Sequence, residues 1–177
     1  MKQISISRRG ALLALAAAVS MPFSANAYEV LRPLEGGTAG LRVKAIRVDV
    51  APLAENGNRP AAEWLSQDLP RLLQSALAAR MAPHDPRAAT LLVRIDLITL
   101  GMHRSLDHGF GRADAADDIQ GAVEILGPGG RPLATYPVSS VVQAYTGGSG
   151  FDFAGQRSRV AALAQSFAYW LPGQMGL

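Results

Sequence analysis

The clearest pattern in the chain is an alternation of apolar and polar residues over positions 89–100. Every second position from Leu91 to Leu97 is apolar, and Arg94 and Asp96 stand between them. A side-chain period of two residues is typical of a β-strand that buries one face. The pattern therefore predicts a strand whose apolar positions face the core and whose charged positions face away from it.

A second alternating segment, residues 41–51, changes phase in its middle. Leu41 and Val43 alternate with basic residues, whereas from Ile46 onward the apolar residues occupy the other parity. A strand with a β-bulge near Ala45–Ile46 would keep both apolar sets on one face, because the bulge adds one residue to the strand. We expect a bulged strand here.

Two more strands are predicted on either side of the turn formed by residues 128–130. Residues 119–125 alternate in the same way, and residues 133–145 return after the Pro-Gly-Gly turn, which favours a hairpin. Pro137 lies within the returning segment and cannot donate a ladder hydrogen bond. This strand is therefore expected at an edge of the sheet or with a bulge.

Two segments have apolar residues at helical spacing, and each contains a proline. Between residues 60 and 77 leucines recur every three or four positions after a polar turn at 55–59, and Pro70 would kink this helix near Ser66 or split it. A last helix is predicted over residues 152–172, with Asp152 as its N-cap and Pro172 as its stop. Its expected core stripe consists of Val160, Leu163, Ala164, Phe167, Trp170 and Leu171.

The order β-α-β-β-β-α predicts an α+β protein built as a two-layer α/β sandwich. A mainly antiparallel four-stranded sheet would carry two helices on one face, because each strand has one apolar and one polar side. Three regions are expected: a cleaved segment at 1–27, an N-terminal arm at 28–40 and a single domain at 41–177.

The N-terminal segment has the three parts of a secretory signal peptide. Lys2, Arg8 and Arg9 precede an apolar run, and Ala25-Asn26-Ala27 forms a small-residue cleavage site. Ser7-Arg8-Arg9 resembles the start of a twin-arginine signal, although Ala11 stands where that pattern prefers a larger apolar residue. An ordinary Sec signal stays open beside the twin-arginine route.

Charge and cysteine content narrow the function classes. The 17 basic residues fall to 14 without the signal, equal to the 14 acidic residues, so the remaining domain has no net charge. This balance is unlike that of a nucleic-acid binder, so no nucleic acid is expected as a partner. The chain has no cysteine, which excludes disulfides, thiol nucleophiles and a thioether-linked lipid anchor.

The long segment 101–118 is the first place to look for chemistry. His103, Asp107 and His108 offer imidazole and carboxylate ligands that suit zinc or another divalent cation. Their spacing matches no established metal signature, and a solvated crossover between strands is the competing interpretation. No catalytic residue and no cofactor are predicted.

Other candidate positions point to ordinary structure. Residues 146–153, TGGSGFDF, match neither the P-loop nor the dinucleotide fingerprint and are expected to form a linker. His84 is expected on a surface turn, and the neighbouring Asp117 and Asp118 would point to opposite faces of a strand. Tyr169 is expected beside the core stripe of the last helix, with its hydroxyl in water.

The stretches LLVRIDLITL and IQGAVEILGPGGRPLATYPV, together with the signal and the last helix, resemble small secreted bacterial envelope proteins. Over residues 41–171 the chain is similar to auxiliary components of lipid-transport ABC systems and to related domains of unknown function. Many of those proteins carry a lipidated cysteine, which this chain lacks.

The resemblance implies a soluble, non-enzymatic periplasmic module that binds or assembles with an envelope protein partner. Recognition would use an exposed sheet edge near Pro137 or the polar sheet face. The alternative is a metal-binding protein or metal-assisted hydrolase that uses the loop 101–118. The oligomeric state is open, and a homo-oligomer that buries part of the sheet is a third possibility.

Overall fold

The computed structural model describes residues 37–101, 116–143 and 153–177. The elements along the chain are β1 (Val43–Asp49), α1 (Ala51–Glu55), α2 (Arg59–Ala76), a 3₁₀ turn (Ala78–Arg80), β2 (Ala89–Leu100), β3 (Ala116–Leu126), a second 3₁₀ turn (Pro128–Gly130), β4 (Pro132–Gln143) and α3 (Phe153–Gln174). Among these described helices, none is long and apolar enough to cross a bilayer.

The four strands form one sheet in the order β1-β2-β3-β4. β1 runs parallel to β2, whereas β2–β3 and β3–β4 are antiparallel pairs. The parallel pair requires a crossover, and α1 with α2 provides it. This arrangement confirms the predicted α+β class and the mainly antiparallel sheet.

The two long helices cover one face of the sheet. α2 packs against β1 and α3, while α3 packs against β3 and β4. Between the layers lies a single apolar core whose largest fully buried side chains are Phe167, Leu53, Leu65, Leu69, Leu73, Leu77, Leu91, Ile95, Ile119, Ile125, Leu163 and Leu171. We call the opposite side of the sheet, away from α2 and α3, its outer face.

The short helix α1 was not expected from the sequence. β1 ends at Asp49, whose carboxylate accepts a hydrogen bond from the Ala51 backbone N–H at 3.0 Å. Pro52 then sits in the first helical turn, where its missing N–H costs nothing, and Leu53 is buried with 1% exposure. Burial of Leu53 thus turns the predicted strand end into a helical turn.

Neither proline breaks its helix. α2 runs without interruption through Pro70, because Leu69 and Leu73 are fully buried on either side of it. The Ser66 carbonyl, which loses its helical partner to Pro70, belongs to an exposed residue that water can reach. α3 likewise continues past Pro172 to Gln174, so the predicted stop is wrong by two residues.

Bulges interrupt both β1 and β2. The register of β1 against β2 shifts between Val43 and Ala45, next to the predicted bulge. A second shift between Ile95 and Leu97 was not expected, and it leaves Asp96 without a partner on β3. Because the extra residue reverses the alternation, Leu97 turns outward and is 43% exposed, which corrects its predicted place in the core.

Gly121 is required where β3 passes this second bulge. It pairs with Ile95, and a Cβ atom at Gly121 would lie 2.0 Å from the Arg94 carbonyl oxygen. Only a residue without a side chain allows the two backbones to approach this closely.

The hairpin and the edge position of β4 agree with the sequence. Gly129 and Gly130 both adopt positive φ in the turn that joins β3 to β4. β4 pairs only with β3 among the described strands, so Pro137 lies on an edge strand as expected.

The core stripe of α3 differs from the prediction at one residue. Trp170 is 56% exposed, and Ala168 is buried in addition to the other five predicted positions. α3 packs against α2 as well as β4, so the buried side of the helix is set by both neighbours and turns away from Trp170.

The last part of the predicted N-terminal arm contacts the domain. Thr38 is buried, with 4% exposure, and its Oγ1 lies within hydrogen-bond distance of the Met175 and Gly176 carbonyl oxygens. These contacts attach the start of the described chain to the C-terminal end of α3.

Candidate functional site

The predicted metal ligands His103, Asp107 and His108 lie outside the described residues. So do the signal-peptide positions Arg8, Arg9, Ala25 and Ala27, the N-cap candidate Asp152 and the glycine-rich run at 147–150. In the part of the chain that the structure describes, no group of three His, Cys, Asp or Glu side chains could hold a metal ion. The metal-binding interpretation is therefore neither supported nor contradicted.

A buried ion pair lies at the end of β2 and the start of β3. Arg159 of α3 donates to Asp117 of β3, with 2.9 Å between Nε and Oδ2, and its Nη2 also donates to Asp117 Oδ1. The same Nη2 donates to the Gly101 carbonyl oxygen at 2.6 Å, and the Gly101 N–H donates to Asp117 Oδ1 at 3.1 Å. The pair thus joins α3 to the end of β2 and the start of β3.

Both partners of this pair are largely withdrawn from water. The side chain of Arg159 is 14% exposed and that of Asp117 is 4% exposed. The hydrogen bond to Asp117 raises the pKa of Arg159 above its ordinary value, so the guanidinium stays charged. The Arg159–Asp117 ion pair is therefore a structural contact between α3 and the sheet.

The sequence contained a signal for Asp117 but not for its partner. Asp117 has the same parity as Ile119 and Val123, so the strand pattern directs it inward, while Asp118 points outward as expected. Arg159 is not among the predicted core positions of α3, and only the packing of α3 on β3 brings it to Asp117.

The outer face of the sheet carries a cluster of charged side chains at its centre. Arg94 Nε lies 3.2 Å from Asp96 Oδ1, and Arg94 Nη1 lies 3.7 Å from Glu124 Oε1. Each of the three side chains is less than one-third exposed. We call these three residues the outer-face cluster. Because β2 and β3 are both internal strands, the positions of these charges are fixed by the sheet.

Asp96 is the member of this cluster with the least favourable surroundings. Its Oδ2 atom is buried and accepts no hydrogen bond from any described residue. Burial raises the pKa of Asp96 above its ordinary value. Its backbone carbonyl is held by Asn56 Nδ2 at 3.1 Å, which ties α1 to the β2 bulge.

Two exposed apolar side chains lie on the same face. Leu97 follows the β2 bulge and is 43% exposed, and Val141 on β4 is 64% exposed. Val141 pairs with Asp118, and Leu97 with Gln120, two positions apart on β3. The outer face therefore combines fixed charges with exposed apolar area.

The edge of the sheet at β4 is partly covered by the side chain of one residue. The Ser139 N–H donates to Gln174 Oε1 at 3.1 Å, and Gln174 Nε2 donates to the Ser139 carbonyl at 2.6 Å. The primary amide of Gln174 thus makes the two bonds that a partner strand would make. The hydroxyls of Ser140 and Ser166 meet at 2.7 Å and hold α3 against the same part of β4.

α3 also presents aromatic side chains to solvent. Tyr169 is 72% exposed, as expected, and its ring packs edge-on against Trp170 with 5.0 Å between centroids. At the other end of the helix, Phe153 contacts Trp64 of α2 in the same geometry at 4.9 Å. His84 is exposed, as predicted for a surface turn.

Comparisons with known proteins give distant structural neighbours only. No known protein family and no curated protein matches the sequence. Similar solved structures include the PelC dodecamer of Paraburkholderia phytofirmans, with 11% identity, coverage of 81% of this chain and 92% of that chain, and a TM-score of 0.38. A minor lipoprotein of Acinetobacter baumannii has 14% identity, coverage of 76% and 92%, and a TM-score of 0.42. At such low identity and TM-score, neither carries a function or a site over to this chain.

Proposed function

We propose that this chain is a non-enzymatic binding or assembly module of the bacterial cell envelope. It is exported to the periplasm, loses residues 1–27 and binds a protein partner through the outer face of its sheet. The signal-like N-terminus supports export. The sequence contains no cysteine, the residue that carries the thioether-linked lipid of a bacterial lipoprotein.

The chemistry of the outer face is the observation on which this proposal depends. The outer-face cluster presents opposite charges in a fixed arrangement, which favours specificity in recognition. Leu97 and Val141 add apolar area that a partner would remove from water. α2 and α3 cover the other side of the sheet, so the two sides are chemically distinct.

Site-specific photo-cross-linking in cells tests the surface. A photoreactive residue at Leu97 or at the exposed Gln120 should give an adduct with one partner protein. The matched control is the exposed Gln165 on α3, which lies off the sheet and should give no such adduct. Equal adducts from all three positions, or none from the two sheet positions, would contradict binding through this face.

Export is tested separately. N-terminal sequencing of the protein from the periplasmic fraction should begin at Tyr28. Replacing both Arg8 and Arg9 with lysine should stop export by the twin-arginine route but leave a Sec signal functional. Protein that stays in the cytoplasm with its first residues intact would contradict the proposed location.

A further inference from the structure

The edge strand β4 has little of the usual protection against pairing. Its twelve residues, PLATYPVSSVVQ, include no charged side chain. Natural edge strands are commonly guarded by charge, proline or a covering element. Here Pro137 and the amide of Gln174 guard the middle of the strand, and no further strand among the described residues pairs with its C-terminal end.

Alternation along the strand identifies the backbone groups that have no partner among the described residues. Ser139 turns its N–H and C=O to Gln174, away from β3. Residues two and four positions further along an antiparallel strand turn the same way, so Val141 and Gln143 present their backbone groups to the same edge. Their side chains project from the outer face, where Val141 is 64% exposed.

The helix side of the same edge is also apolar and exposed. Ser166, Trp170 and Gln174 lie four residues apart and therefore share one face of α3. The first contacts Ser140 and the last contacts Ser139, so Trp170 lies between two points of attachment to β4. Trp170 is 56% exposed, so an exposed aromatic side chain lies on the helix side of β4 next to its attachments at Ser139 and Ser140.

We propose that the open end of β4 pairs with the same segment of a second copy of this chain. The two strands run antiparallel about a twofold axis near Val142, so that Val141 of each copy exchanges backbone hydrogen bonds with Gln143 of the other. An uncharged segment meets itself without repulsion, and a twofold contact needs a self-complementary surface.

Gln174 and Pro137 limit how far this pairing extends along β4. Gln174 keeps its bonds to Ser139 in both copies, and Pro137 lies beyond it without an N–H to offer. Pairing therefore stays short and closes as a dimer, with Val141 at the contact. The two sheets join edge to edge into a larger outer face. The inference does not depend on the proposed partner, because a dimer forms with or without it.

Sedimentation equilibrium of the exported protein, purified alone, tests the dimer. We expect a reversible monomer–dimer equilibrium that Val141→Lys weakens by about tenfold or more. The two lysines would lie on the same face at diagonal positions of the paired strands, about 7–8 Å apart, and would also remove the apolar contact of valine. The matched control is Leu97→Lys, which replaces another exposed branched apolar residue on the outer face but away from the edge. It should leave the dimer constant within about twofold.

An engineered cysteine provides a second readout, since the chain has none of its own. Val142→Cys should form an intermolecular disulfide under mild oxidation, whereas Gln165→Cys on α3 should not. A protein that stays monomeric at all concentrations, or a dimer that both lysine variants weaken equally, would overturn the proposal. In the monomeric case, photo-cross-linking at Leu97 still tests the partner-binding function independently.

Discussion

Replacing Gly121 with alanine would test the geometry that fixes the centre of the outer face. The new Cβ would lie 2.0 Å from the Arg94 carbonyl oxygen, 3.1 Å from the carbon of that carbonyl and 3.2 Å from the Ile95 Cα. All three are backbone atoms, so no flexible side chain can move aside. β2 and β3 must separate by more than about 1 Å to restore an ordinary carbon–oxygen contact of about 3.3 Å.

The loss in free energy of unfolding can be estimated from the packing and the ladder hydrogen bonds that a separation of β2 from β3 would disrupt. Overpacking in a well-packed interior costs about 1–3 kcal/mol. Each ladder hydrogen bond lost near the bulge adds about 1 kcal/mol. We therefore expect Gly121→Ala to lower the free energy of unfolding by about 3 kcal/mol, with the larger share from overpacking.

Urea unfolding followed by circular dichroism and tryptophan fluorescence measures this loss. Two glycines serve as controls, because a Cβ at Gly40 or Gly173 would meet nothing within 4 Å. Gly40→Ala should change stability by less than about 0.5 kcal/mol. Gly173→Ala lies in α3 and should stabilise by up to about 1 kcal/mol. If Gly121→Ala unfolds within about 0.5 kcal/mol of the parent protein, the close approach at the bulge is wrong.

Three further predictions concern ionisable groups. Arg159→Met leaves Asp117 buried without its partner and should cost about 3–5 kcal/mol in urea unfolding, whereas combining it with Asp117→Leu should recover most of that loss; no recovery would argue against a direct coupling. Burial raises the pKa of Asp96 in the folded state above its ordinary value. The contribution of Asp96 to the free energy of unfolding is therefore most favourable at low pH, and it is lost as the pH rises through the folded-state pKa. The Asp96→Asn variant should therefore become more stable relative to the parent protein as the pH rises from about 4 to about 7. A difference in free energy of unfolding that stays constant with pH would refute this. Metal analysis of the purified protein should find no stoichiometric zinc; zinc that disappears when His103 and His108 are both replaced by alanine would favour the metal-binding alternative.

The candidate surface could be predicted only in part. Alternation along β2 and β3 placed Arg94 and Glu124 away from the core, and Pro137 placed β4 at an edge. The bulge at Asp96 was missed because Leu97 continues the apolar parity of Leu91–Ile95. The change of phase appears only after it, where Ile98 and Leu100 are apolar and Thr99 is polar. A bulge depends on how a strand pairs, and here it brings Leu97 to the surface.

Local periodicity determined most of the elements in this protein. Strand and helix spacing are properties of neighbouring residues, so the hairpin, the alternating face of β2 and the apolar stripe of α3 were present in the sequence. The contacts that close the structure join residues far apart in the chain: Arg159 with Asp117, and Gln174 with Ser139. Both contacts depend on the orientation of α3 on the sheet. This orientation is set by the packing of α3 against α2 and β4 together, which also leaves Trp170 exposed.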